Sequence, residues 1–159
     1  MMRHQPPQHP GTKRPGQTLV MFVLLTPALL GMVGLTIDGG LMLVTHRQTQ
    51  NAADTAALAA AVDLMNGKTP AAAQSTAQTY VQTYNNMPNA TTAPYVNIPP
   101  LTGPHSLASI GSTSNNYAEA IISYPFQTSF IQMLGVNSSQ QVTARAVAGV
   151  EGGQVFLVE

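Results

Sequence analysis

Eight side chains beyond residue 17 could act as carboxylates or imidazoles: Asp38, Asp54, Asp63, Glu119, Glu151 and Glu159, with His46 and His105. Hydrolytic or metal-assisted catalysis needs such groups to converge, with a nucleophile or metal, a base and an oxyanion stabiliser in reach of one another. The spacing gives no sign of this. Asp38, Asp54 and Asp63 do not form a compact pair on an ideal helix, and their separations match no metal-binding motif. G-x-S-x-G, H-E-x-x-H and a phosphate loop are all absent. With no cysteine, the chain has neither thiol chemistry nor disulfides. No catalytic, cofactor-binding or metal-ligating residue is therefore expected. His105 lies in a Pro-rich stretch and is expected to be exposed, and His4 and His9 read as solvated bystanders.

A membrane is what must position these side chains. Residues 18–37, TLVMFVLLTPALLGMVGLTI, carry no charge and lie between Lys13-Arg14 and Asp38. A bilayer core of roughly 30 Å needs about 20 helical residues to cross it. The run is longer than the roughly 7–15 residues of a cleaved signal, and no A-x-A site closes it, so a retained anchor in a lipid bilayer is expected. The tail holds Arg3, Lys13 and Arg14 and no acid, while beyond it six acids outnumber Arg47, Lys68 and Arg145. Basic residues beside a span stay in the cytoplasm, which predicts the N-terminus inside and the C-terminal part outside. No cationic patch follows the tail, so nucleic acid is not an expected partner.

Residues 1–17, rich in Pro, Gln and His, are expected to form a disordered cytoplasmic tail. Residues 18–66 read as one long helix, half in lipid and half outside, with Pro27 a site for a kink and Gly39-Gly40 a place to bend. Beyond Asp38, Val44, Asn51, Thr55, Leu58, Val62 and Met65 form one largely apolar stripe. Ala52, Ala53, Ala56, Ala59 and Ala60 lie on another side, where small side chains admit a second helix. Thr69-Pro70 starts a second helix that stops before Pro88. Residues 85–116 are a Pro-rich loop with short strands near 95–98 and 107–110. Residues 117–124 favour a strand, Phe126, Phe130, Ile131 and Leu134 fit a short helix closed by Gly135, and 141–150 alternate as a strand. The class is α+β, with 67–159 a small extracytoplasmic domain.

The run R-x-x-Q-N-A-A-D-x-A-A-L-A-A-A, here Arg47, Gln50, Asn51, Ala52, Ala53, Asp54, Ala56, Ala57, Leu58, Ala59, Ala60 and Ala61, follows the span and its terminal Asp38-Gly39. It resembles the N-terminal signature of TadE/TadG-like Flp (tight adherence) pilus-assembly proteins. Residues 118–123, 130–135 and 144–148 resemble the family's second block of strand, aromatic helix ending in Leu-Gly, and strand ending in A-x-A-V-A. The resemblance implies a single-pass component of the bacterial inner membrane. It would act structurally in a Tad/Flp-type pilus assembly or secretion system, as a minor pilin-like protein. Its partners would be other pilus-assembly or pilin-like membrane proteins, with no small-molecule substrate. Assembly contacts are expected at Asp38, Arg47, Gln50, Asn51, Ala53, Asp54, Ala56, Ala57 and Ala60; Asp38, at the outer membrane edge, either faces headgroup water or pairs with a basic group on a neighbouring subunit.

Two departures matter. No D-x-S occurs, so a short form without a von Willebrand A-type domain is expected. Met21 stands where a prepilin cleaved after Gly16 would carry Glu, which argues against trimming as a major pilin. The alternative function is a membrane-tethered binding or adhesion module, and an anchored enzyme is a weaker third. Neighbouring genes for a secretion ATPase and small pilins would separate the first from the others.

Overall fold

The computed structural model describes residues 15–90, 95–106, 109, 115–133, 135 and 139–158. Its first element, α1, is one helix over Pro15–Met65, about 76 Å long at the usual rise per residue. Residues 15–17 are therefore its first turn and not part of the tail, whose remaining residues lie outside the described ones. Helix continues through Pro27 and through Gly39-Gly40. Thr26, Thr36 and Thr45 donate to the carbonyls of Phe22, Met32 and Leu41 at 2.8–2.9 Å, which satisfies their hydroxyls on an otherwise apolar rod. The helix closes at Gly67, whose φ of 74° suits glycine. Gly67 N–H bonds Leu64 O and Lys68 N–H bonds Asp63 O, so the last turn satisfies its own carbonyls.

The second helix, α2, spans Pro70–Thr79, and the Thr69 hydroxyl accepts from Ala72 N–H at 3.3 Å. A π turn, Tyr80–Tyr84, carries it on to Asn85. Four antiparallel strands follow in spatial order β1-β2-β3-β4. They are β1 (Val96–Asn97), β2 (Tyr117–Gln127), β3 (Ser139–Glu151) and β4 (Gln154–Leu157). A short helix, α3 (Ser129–Met133), sits in the β2–β3 connection.

These elements are largely those expected, with two differences. Phe126 belongs to β2, opposite Gln140, and not to the short helix. Strand β4 was not anticipated, although Gly152-Gly153, both at positive φ, is the two-residue turn that joins it to β3. The strand expected near 107–110 falls mostly outside the described residues, as does Leu134.

Alternation explains how the sheet meets the helix. Ala118, Ala120 and Ile122 of β2 and Val142, Ala144, Ala146 and Ala148 of β3 are buried. The second half of α1 lies across β2, β3 and α2. Ala52, Ala53, Ala56, Ala57, Ala60 and Ala61 are fully buried and share one core with the strand alanines, Ala73, Ala77 and Val81. Alanine on both sides of an interface lets backbones approach closely, so many short contacts replace a few large side chains.

Candidate functional site

The residues singled out in the sequence separate into three settings. Asp38 is 3% exposed, although it lies just past the apolar run. Its Oδ1 accepts from Ser129 N–H at 3.1 Å, and its Oδ2 from Phe130 and Ile131 N–H at 3.0 and 3.1 Å. One carboxylate thus satisfies the orphan donors at the start of α3, where negative charge is also favoured. Within the chain, the partner of Asp38 is the β2–β3 connection. Phe130 packs on Gly34, one turn below Asp38. A Cβ at Gly34 would lie 2.6 Å from Phe130 Cγ, so only glycine leaves room for the ring.

The alanine face is also occupied from within. Ala53, Ala56, Ala57 and Ala60 have no exposed surface, so a second chain could reach them only by displacing the domain. Gln50 reinforces that docking: its Nε2 donates to Asp54 Oδ1 at 2.8 Å and to Arg145 O at 3.2 Å. On the far side of the sheet, Arg145 Nε donates to Glu119 Oε1 at 2.8 Å. Glu119 has no exposed side chain and also accepts from Leu101 N–H, the Thr102 hydroxyl and the Asn97 amide. Arg145 Nη2 donates to Thr102 O at 2.9 Å, which ties the 97–102 segment to the sheet. Burial alone would raise the Glu119 carboxyl. Four donors outweigh it and hold the group below its ordinary value. At the other end, Lys68 Nζ at 2.8 Å and the Thr76 hydroxyl at 2.6 Å hold Asp63 below its ordinary value and fasten α2 to α1.

What remains accessible is a different face of α1. Arg47 and Asn51 are exposed, Asp54 and Leu58 half-buried, and Val62 and Met65 more than 40% exposed. Asn51, Leu58, Val62 and Met65 among these belong to the stripe that the sequence suggested would be largely apolar. Two hollows open along it, each of roughly 320–340 Å³. One is lined by Gln48, Asn51, Asn85, Asn86, Met87 and Tyr124, and the other by Thr55, Leu58, Ala59, Val62, Asp63, Thr76 and Tyr80. In the second, the Thr76 hydroxyl donates to Asp63, whose carboxylate is also held by Lys68. The first presents amides for hydrogen bonding, and the second presents mainly aliphatic surface.

His105 is not exposed as expected: it is half-buried and stacked on Tyr117, with ring centres 4.3 Å apart. The Glu119–Arg145 pair escaped sequence reasoning altogether. Ile121 faces Arg145 across the ladder, which brings Glu119 into diagonal reach of it, and only the register shows this. Among the described residues, no group of three or more His, Cys, Asp or Glu side chains could hold a metal ion.

Comparison with known proteins bears on α1 alone. Residues 16–63 match the Tad family model, described as Flp pilus-assembly TadE/G-like. The match opens at the second residue of α1 and closes at Asp63, which takes in the span, Asp38 and the whole alanine face. No curated protein and no solved structure matches the chain.

Proposed function

From the match of residues 16–63 to the TadE/G-like Flp pilus-assembly model, we propose that this chain is a single-pass structural subunit, minor pilin-like, that contributes no catalysis to its machine. The N-terminus lies in the cytoplasm and the α+β domain outside the inner membrane. The observation that carries this reading is the division of α1. Its first half is an exposed apolar rod, and its second half is buried as the spine of the domain. The subunit meets its neighbours through the face of α1 left open beside the domain, at Arg47, Asn51, Leu58, Val62 and Met65. The alanines at 53, 56, 57 and 60 serve assembly indirectly, by fixing the domain that frames that face.

Photo-crosslinking in cells tests this assignment. A crosslinker replacing Arg47 or Val62 is expected to capture another membrane component of the pilus machine, and one replacing Ala56 to capture nothing outside the chain. Capture only from position 56, or normal piliation in cells lacking the chain, would overturn it. The tethered binding module would draw instead on the amide-lined hollow at Asn51, Asn85 and Asn86. Loss of surface adhesion with intact pili in an Asn85→Ala, Asn86→Ala variant would favour that reading.

A further inference from the structure

The apolar surface of α1 does not stop at Asp38. Leu41, Met42, Leu43 and Val44 are 45–64% exposed, continuing the surface that begins at Leu19. From Leu19 to Thr45 the single ionisable side chain is Asp38, and it is turned inward onto three backbone N–H groups. The first exposed ionisable groups are His46 and Arg47. Helix from Leu19 to Val44 is about 39 Å long, against roughly 30 Å for a hydrocarbon core and about 40–45 Å with the headgroup layers.

The domain has a matching end. Gln50 bonds Arg145 O, Asp38 caps α3 and Phe130 sits on Gly34, so the β2–β3 hairpin descends along α1 into the apolar run. Between Glu119 and Arg145 the chain carries no Asp, Glu, Lys or Arg, so the descending part is wholly uncharged. Leu35, Met42, Phe126 and Ile131 line an apolar cleft of about 340 Å³ between hairpin and helix.

We infer that the water boundary lies at His46-Arg47 and that α3, with the adjoining ends of β2 and β3, is immersed in the outer leaflet, the exposed apolar surface of α1 at residues 41–44 being covered by lipid. This rests on the proposed membrane span. An uncharged tip carrying glutamines and a Phe suits the headgroup–acyl boundary, where mixed polar and apolar side chains settle. Internal capping of Asp38 is what lets a carboxylate occupy that depth, because its hydrogen bonds need no water.

The cysteine-free chain makes the test direct. Single-cysteine variants of the full chain, Leu29→Cys, Leu43→Cys, Gln48→Cys and Gln132→Cys, are labelled with an environment-sensitive nitrobenzoxadiazole probe. They are then reconstituted into phosphatidylcholine vesicles with doxyl-labelled acyl chains. Quenching at 43 and 132 is expected to match that at 29 and to be several-fold stronger than at 48. Quenching at 29 alone would leave the span intact and overturn the immersion, and no quenching at 29 would remove both. Probes at 43 and 132 shielded from aqueous iodide as well as from doxyl lipid would assign the surface to another protein chain and overturn the lipid assignment.

Discussion

Glu119 is the residue whose environment departs furthest from its sequence context. A carboxylate between Ala118 and Ala120 reads as the solvent side of a strand, yet four donors enclose it on the face opposite α1. Its place between two buried alanines puts it on the opposite face of β2, but nothing local showed that the 97–102 segment would cover that face. Removing one partner of such a pair leaves the other uncompensated, so Glu119→Ala is expected to destabilise the domain by about 3 kcal/mol. That is the lower end of the usual range, because Arg145 is 30% exposed. Chemical unfolding of the purified chain in detergent, followed by circular dichroism, would measure it. The lowered Glu119 and Asp63 carboxyls also set a pH dependence. A folded value below the unfolded one adds stability that is complete above the unfolded pKa and is lost as pH falls through the folded one. The unfolding midpoint is therefore expected to hold near neutrality and to fall below about pH 4.5, and Glu119→Gln to flatten part of that fall.

At the level of elements, most of the architecture was legible. The apolar run, the Thr69-Pro70 start and the alternation at 141–150 each point to the element observed. What one face of α1 would touch was not legible. A row of alanines signals close approach, and helix, sheet or second subunit satisfies it equally well. Here the domain's own sheet and α2 fill it. Bulk at that interface therefore acts on folding before assembly. Ala56→Leu is expected to cost about 1–3 kcal/mol, read as a lower thermal midpoint, while insertion into the membrane is unchanged by carbonate extraction. Gly34→Val addresses the contact with α3. Its side chain would need the space of Phe130. It is expected to expose the α3 connection to limited proteolysis while leaving the β3–β4 hairpin protected.

For the molecule as a whole, the pattern of charge is what carries the proposed orientation, and the grip of the domain on α1 would keep it close to the bilayer of that proposal. The basic tail, an apolar rod and an acidic remainder follow in that order along the chain. In spheroplasts, added protease is expected to trim the C-terminal domain only where loops open, and to leave the tail intact until the membrane is breached. An epitope at each end, followed by immunoblot, would report both. Digestion of the N-terminal epitope in sealed spheroplasts would reverse the proposed orientation.

The continuity of α1 has a mechanical consequence. The domain grips the helix from Gly34 to Asp63, with no hinge between lipid and sheet. The side of the rod proposed to meet lipid and the side proposed to meet neighbours are thus locked in phase, and torque on one half is felt by the other. One extra residue between Gly40 and Leu41 would turn the halves by about 100° against each other and break the grip at Asp38. Such an insertion should leave the protein anchored but unable to present its open face at the angle its neighbours require.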